Sequence, residues 1–324
     1  MKKVLITGAG GFIGSHLTEM CVARGLKVRA FVHYNANNHW GWLERSTCKN
    51  KIEVVSGDIR DYDFISKAIK GRDTVFHLAA LIGIPYSYTS PLAYIKTNVE
   101  GTYNVLESAK EAGVKNVMIT STSETYGTAQ YVPIDEQHPA VGHSPYAASK
   151  IAADQIALSY WRAFGLPVKV VRPFNTYGPR QSARAIIPTI ITQILDGQRL
   201  LKLGNIFPTR DLTYVLDTAR GFLTLADCKL AVGQAVNVGM NHEISIEELT
   251  YRIAAMLKVK VRVVKDLQRV RTKHSEVERL RCDNTKLVSL TSWRPQYDLD
   301  GGLRATIAWI KKNQHLYKAS LYNV

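Results

Sequence analysis

Lys3-Val4-Leu5-Ile6-Thr7-Gly8-Ala9-Gly10-Gly11-Phe12-Ile13-Gly14 decides how this chain folds. An apolar, strand-forming run leads into glycines at 8, 11 and 14, and an amphipathic helical pattern continues to about Gly25. The glycines permit a tight turn, close approach of a pyrophosphate to backbone, and close packing of helix on strand. Phe12 and Ile13 open the helix, whose oriented N–H groups suit phosphate. A glycine triplet alone says little. Placed between a strand and a helix, it implies a dinucleotide site.

Outward from this unit, strand patterns at residues 27–32, 52–55, 74–78, 116–120 and 168–171 alternate with helical ones at 62–70, 91–112 and 144–164. That alternation implies an α/β fold with a doubly wound parallel sheet of Rossmann type. Ser121 to Lys150 carries the chemistry. Ser123 and Glu124 fall just past the strand at 116–120, where open α/β sheets present ligand-binding groups. Beyond Pro145 the pattern turns helical, so Tyr146 and Lys150 stand at i and i+4 on one face. A lysine cation beside a phenol favours the phenolate, lowering a pKa that starts at about 10. Such a tyrosine can take a proton from a sugar hydroxyl while the carbon beneath it loses hydride.

At 324 residues the chain can bury a large core, and 46% hydrophobic with 21% charged residues is ordinary for a soluble globular protein. The first strand starts at residue 2 or 3, leaving no room for a signal peptide. The apolar run from Ala185 to Leu195 is far shorter than the ~20 residues needed to cross a bilayer. A cytoplasmic protein without a membrane partner is expected. Cys21, Cys48, Cys228 and Cys282 lack the spacing of a zinc site or a disulfide framework, so no metal is expected. Net charge is +15, densest between Lys258 and Lys286, where ten Lys/Arg accompany four Asp/Glu. No groove-reading or base-stacking motif goes with it, so nucleic acid is not expected as a partner. The charge reads as solvated surface with a few arginines turned inward to phosphate.

With Thr-Gly-x-x-Gly-x-x-Gly, Ser121-Thr122-Ser123-Glu124-Thr125-Tyr126-Gly127 and Tyr146-x-x-x-Lys150 in this order, the chain resembles the extended short-chain dehydrogenase/reductases. These include nucleotide-sugar epimerases, decarboxylases and 4,6-dehydratases. Arg172-Pro173-Phe174-Asn175-Thr176-Tyr177-Gly178-Pro179-Arg180 resembles the family's substrate-phosphate turn, and Arg210 to Val215 its second anchor. The region of Trp293 and Gly302 resembles its C-terminal signature. Residues 35–43 and 178–184 resemble the 4,6-dehydratases that start legionaminic-acid-type pathways.

The resemblance implies a nucleotide-sugar substrate, here a UDP- or GDP-N-acetylglucosamine, and a discontinuous organisation. Residues 1–175 with 215–240 would form the dinucleotide domain, and 176–214 with 241–324 a nucleotide-sugar lobe. It implies Asp58 and Ile59 at the adenine, Ala79 and Ala80 against the cofactor, and Pro85, Asn98, Asn175, Arg180, Arg210 and Arg271 at the substrate side. At the end of the second strand His33 stands where NAD-binding relatives carry an acidic residue. The arginine pair of NADP-binding relatives is missing too. The resemblance implies NAD, while these residues leave NADP open. Two helices per subunit form a four-helix dimer interface in relatives, which implies a homodimer here.

For 4,6-dehydration, Tyr146 would take the C4 hydroxyl proton, Thr122 would bond the C4 oxygen, and Glu124 would serve as C5 base and C6 acid. Many dehydratases have Asp-Glu where Ser123-Glu124 stands, so Glu124 would handle both transfers. Three other readings compete. A 4-epimerase uses the same tyrosine and lysine but usually lacks the carboxylate, and a UDP-glucuronate decarboxylase has nearly the same Ser-Thr-Ser-Glu stretch. A non-catalytic dinucleotide sensor would have no need of Thr122, Glu124, Tyr146 and Lys150 together.

Overall fold

The structure is a computed structural model that describes residues 1–318 and Leu321. The chain begins with β1 (Lys3–Thr7), α1 (Phe12–Ala23), β2 (Lys27–His33), β3 (Glu53–Gly57), α2 (Tyr62–Ile69) and β4 (Thr74–His77). It continues with α3 (Ile84–Thr89), α4 (Pro91–Tyr94), α5 (Gly101–Glu111), β5 (Asn116–Thr120), α6 (Pro145–Phe164), β6 (Val168–Pro173) and β7 (Asn175–Tyr177). Then come α7 (Ile186–Leu195), β8 (Leu200–Leu203), β9 (Thr209–Tyr214), α8 (Val215–Asp227), β10 (Ala235–Val238) and β11 (Glu243–Ser245). The last elements are α9 (Ile246–Met256), β12 (Arg262–Lys265), α10 (Thr285–Leu290) and α11 (Leu299–Lys312).

Seven strands form the main sheet in the order β10-β6-β5-β4-β1-β2-β3, every pair parallel. Strands buried on both faces need apolar side chains throughout, which is why β1, β4, β5 and β6 read as short apolar runs. One face carries a core around Leu17, Phe76, Met118 and Phe222, beneath α1 and α8. The other packs Ile65, Val105, Leu106 and Ala157 of α2, α5 and α6 against Leu5, Val117 and Val170. Leu287 and Trp293 join the first of these cores, so the chain returns to the main sheet after residue 241 as well as at α8 and β10. A separate core, with Ile187, Ile190, Leu201, Leu249, Ile253 and Leu303, holds α7, α9 and α11 around two small sheets, β11-β9-β7 and β12-β8.

The helical pattern expected over residues 91–112 is not one regular helix. A π-helical turn, Ile95–Glu100, separates α4 from α5. Such turns widen a helix locally and are frequent at functional sites. This one holds Asn98. Among the described residues no helix is long and apolar enough to cross a membrane.

The register brings Thr7, His77 and Ile119 side by side at the carboxyl edge of the sheet, with Thr120 one residue further along β5. There the glycine turn is fitted to its surroundings without slack. Gly8 has a φ of +68°, and a Cβ on it would lie 2.8 Å from Ala79 N. A Cβ on Gly14 would lie 2.2 Å from Gly8 O. Residues 35–43 lie against the turn: Trp42 N donates to Gly10 O at 2.9 Å, and the Trp42 ring meets Trp309 of α11 edge-on. Gly14→Ala is expected to destabilise the ligand-free protein by about 1–3 kcal/mol, the usual cost of overpacking. Denaturant unfolding monitored by circular dichroism would measure it.

Candidate active site

The α1 start has no side-chain cap, so its first-turn N–H groups remain available to an anion. Gly11 is exposed, and Gly8 and Gly14 leave no room for side chains beside them. This cradle fits a pyrophosphate. At the ends of β2 and β3, His33 is exposed and Asp58 takes two hydrogen bonds of 3.0 Å from Arg60 Nε. Those bonds hold the Asp58 carboxyl below its ordinary range. Ile59 is buried against Gly101, and its carbonyl accepts from Asn104 at 3.0 Å. Ala79 N donates to Thr7 Oγ1 at 3.1 Å, and Ala79 and Ala80 remain partly accessible beside the turn.

Across the sheet edge, Ser144 caps α6 through Ala147 N at 3.1 Å, with Pro145 in the first turn. That fixes where the buried Tyr146 and Lys150 emerge. The Thr122 hydroxyl faces the Tyr146 phenol and favours its ionised form, but burial outweighs it and pushes the phenol above the usual tyrosine range. The expected lysine–phenol pairing is not the contact made. Lys150 Nζ donates to Thr120 O at the end of β5, while burial pulls the ammonium down to about 8. The two side chains share a helix face, but a buried ammonium needs an acceptor and the open carbonyl end of β5 supplies one. Ser123 and Glu124 sit in a 3₁₀ turn, Ser123–Tyr126, capped by Thr122 Oγ1 accepting from Glu124 N at 3.2 Å.

The structure brings two arginines to Glu124. Arg271 Nη1 is 3.6 Å from Glu124 Oε2 and 4.0 Å from Glu276 Oε1, and it is buried without a hydrogen-bond partner. Arg210 is buried, donates from Nη1 to Thr209 O at 2.8 Å, and has Nη2 3.7 Å from Glu276. Burial pulls its guanidinium down, with the Glu124 charge opposing. Other arginines of the basic segment are paired: Arg279 with Glu243, and Arg269 with Asp266. Nearby, Asn175 Oδ1 is buried without a partner. Pro85 lies on α3, whose Tyr88 hydroxyl meets Ser275 Oγ at 2.5 Å.

Two expected substrate contacts are committed elsewhere. Arg180 reaches α1, bonding Ser15 Oγ at 3.1 Å and Glu19 at 2.8 Å, and so ties the second lobe to the glycine-turn helix. Asn98 is buried. Its amide donates to Leu81 O at 2.9 Å and Ser149 Oγ at 3.0 Å, and accepts from Leu81 N at 2.9 Å. It therefore braces the loop and helix around Tyr146 rather than facing a ligand.

Sequence reading missed Glu276 and a buried chain behind Lys150. Asp154 Oδ2 accepts from Ser121 Oγ at 2.7 Å and Arg172 Nε at 3.1 Å; Arg172 Nη1 donates to Tyr126 Oη, which donates to Asn237 at 2.7 Å. Asp154 stood in plain view at i+4 from Lys150, the same spacing that singled out Lys150 itself. His77 is a core residue, bonded to Thr7 Oγ1 at 2.8 Å and Thr102 Oγ1 at 3.2 Å, and held neutral by burial.

A dinucleotide cradle, a buried Tyr–Lys helix face and a carboxylate at the end of β5 are the makings of an extended short-chain dehydrogenase/reductase. The chain belongs to the family described as GDP-mannose 4,6 dehydratase, whose model matches residues 5–306. A putative UDP-glucose 4-epimerase of Methanocaldococcus jannaschii is 31% identical, over 96% of this chain and 99% of the relative. A UDP-N-acetyl-alpha-D-glucosaminuronate decarboxylase of Bacillus cytotoxicus is 32% identical, over 96% and 98%. Among solved structures, the dTDP-glucose 4,6-dehydratase DesIV of Streptomyces venezuelae, crystallised with NAD and TYD bound, superposes with a TM-score of 0.89 at 30% identity. The match covers 98% of this chain and 99% of DesIV.

Removing the brace should be felt both in stability and at the site. Asn98→Ala strands the Leu81 amide and carbonyl, at about 1–3 kcal/mol for a buried polar group left unpaired. A lowered thermal midpoint is expected, together with faster hydrogen exchange at Leu81 than at the β5 amides.

Proposed function

We propose that this protein is an NAD-dependent nucleotide-sugar 4,6-dehydratase acting on a UDP- or GDP-N-acetylglucosamine. The observation that carries the reading is the carboxylate of Glu124, in the turn capped by Thr122 and close enough for its charge to act on the Tyr146 phenol. A pure 4-epimerase would have no use for a carboxylate there. The glycine turn, Asp58, Ile59, Ala79, Ala80, Tyr146 and Lys150 would hold the cofactor, with His33 close to its adenosine ribose. Bound there, NAD supplies the hydride acceptor for C4 and the donor for C6. Arg210 and Arg271 would grip the diphosphate, for which arginine's rigid fork is suited. Likeness of residues 35–43 and 178–184 to the legionaminic-type enzymes supports the N-acetylglucosamine substrate. A homodimer fits the exposed apolar residues Leu92 of α4, Ile95 of the π turn and Tyr103 of α5.

Tyr146 takes the C4 hydroxyl proton while Thr122 bonds the C4 oxygen. The ketone acidifies the C5 hydrogen, which Glu124 removes, and Glu124 then protonates the departing C6 hydroxyl. Once C6 has taken up hydride, C5 takes one proton, and this uptake balances the proton Tyr146 removed from O4: the sugar leaves as a 4-ketone, so that proton never returns to O4. Tyr146 must therefore be emptied once per turnover. An epimerase, which reduces the ketone again, hands the proton back.

A uronic acid decarboxylase is the second reading, favoured by Arg271 Nη1, which lies at ion-pair distance from Glu124 but makes no hydrogen bond, a cation suited to a C5 carboxylate. Incubation with UDP- and GDP-N-acetylglucosamine, their galacto epimers and UDP-glucuronate, followed by mass analysis, separates the readings. Loss of water from an N-acetylglucosamine nucleotide is expected. Loss of carbon dioxide from the uronate alone would overturn the dehydratase reading.

Tyr146→Phe is expected to stop the first step, leaving the sugar unchanged. Glu124→Gln keeps that step and removes the base of the second, slowing elimination by roughly 10²- to 10⁴-fold. The 4-keto hexose, lighter than substrate by two hydrogens and still holding its C6 oxygen, should then accumulate on the enzyme without deuterium uptake at C5. Dehydration by Glu124→Gln at the wild-type rate would remove the carboxylate from the mechanism.

A further inference from the structure

Behind the Tyr146–Lys150 pair lies a carboxylate that the reaction scheme does not use. Asp154 is 1% exposed and stands one helical turn past Lys150, so Tyr146, Lys150 and Asp154 follow at i, i+4 and i+8 along one face of α6. Oδ2 is fully engaged, by Ser121 Oγ at 2.7 Å and by Arg172 Nε and Nη2, both at 3.1 Å. Oδ1 is buried and has no protein partner. Arg172 is in turn fixed by Tyr126, through a hydrogen bond of 2.9 Å and through its guanidinium 5.0 Å above the ring. A buried ion pair with one carboxylate oxygen left over is an expensive arrangement for stability alone.

We propose that Asp154 is a positioning residue of the reaction: gripped by Arg172 and Ser121, its carboxylate keeps the ammonium of Lys150, one helical turn before it and one turn after Tyr146, charged through every turnover. The proposal rests on the dehydratase reading, in which Tyr146 must shed a proton each cycle and so needs a lasting cation close by. Burial works against that cation and also raises the Asp154 carboxyl, which Arg172, Ser121 and Lys150 pull back toward its charged form; Asp154 in turn is the group that opposes the loss of charge at Lys150. The titratable groups around Lys150 are few. Tyr146 and Asp154 share its helix; His77 on β4 is uncharged because burial pulls it down to about 3; Arg172 on β6 lies beyond Asp154 and is paired with it. The remaining polar contact is Thr120 O, which accepts a hydrogen bond from either form of the amine. Asp154 is thus the anion that makes the ammonium the favoured form.

The sign follows directly. Without the carboxylate, Lys150 gives up its proton at a lower pH, and activity that needs the ammonium is lost from the alkaline side. In the NAD-loaded enzyme, Asp154→Asn is expected to move the titration of Lys150 Nζ, followed by NMR with ¹⁵N-lysine and assigned with Lys150→Met, acidward by about one pH unit or more. The alkaline limb of kcat with UDP- or GDP-N-acetylglucosamine should move with it, KM staying near wild type. Asp154→Glu retains the charge and should restore the limb. Should Asp154→Asn not fold because it strands Arg172, the pair Asp154→Asn with Arg172→Gln leaves no unpaired buried charge and is expected to show a smaller shift in the same direction, because a cation leaves with the carboxylate. An unmoved Lys150 titration overturns the proposal, and so does a moved titration with an unmoved limb, since Asp154 would then be structural only. If wild type dehydrates neither sugar nucleotide, the failure lies with the dehydratase reading, and the Lys150 titration alone decides whether Asp154 holds the charge.

Discussion

Asp154 and Arg172 meet in the interior of the protein, and their ion pair fixes the element on which the site depends. Arg172 belongs to β6 and Asp154 to α6, while Ser121, bonded to the same carboxylate oxygen, continues β5. The pair thus pins α6 across the two strands whose carboxyl ends frame the pocket. Two charges out of water are tolerated only where each finds a partner. The helix therefore has little freedom to slide or rotate. Tyr146 and Lys150 inherit that rigidity, and a proton-transfer site loses rate steeply with small displacements.

The same desolvation shapes the chemistry. It pushes the Tyr146 phenol up and the Lys150 ammonium down, both away from the forms a proton abstraction uses. What opposes it is local: the Thr122 hydroxyl for the phenol and the Asp154 carboxylate for the ammonium. On the other side of the pocket, Arg210, Arg271, Glu124 and Glu276 are held at ion-pair distances in which two cations and two anions balance. A substrate diphosphate entering there would exchange one set of charge pairs for another rather than meet bare guanidinium groups. Glu124 would then be released to act on the sugar.

Tertiary ties give the second lobe a defined seat. Arg180 and Pro179 hold α1 through Glu19, Ser15 and His16, and Trp42 meets Trp309 of α11. These contacts surround the glycine turn on its outer side. The helix that would bind phosphate is therefore also the helix the second lobe grips, which places a cofactor and a sugar nucleotide in one frame. Solved structures with epimerase and dehydratase names superpose on this chain, so the fold by itself does not separate these activities.

The sequence by itself determined the parallel sheet, the glycine turn, the helix that begins at Pro145, and the shared face of Tyr146 and Lys150. All of these rest on interactions between residues close along the chain, where periodicity, glycine spacing and caps act. Only the tertiary structure decided the rest. Lys150 turned to Thr120 because the acceptor for its buried ammonium is the open carbonyl at the end of β5. Asn98 became a brace because a π turn aims it at Leu81 and Ser149. Arg180 left the pocket for α1, while Glu276, lying 152 residues beyond Glu124 in the chain, arrived between two arginines. In each case a buried charge or amide was satisfied by a partner far away in sequence. Local pattern carries no record of which partner that will be, because the choice is made by desolvation and by the three-dimensional packing that brings the partners within reach.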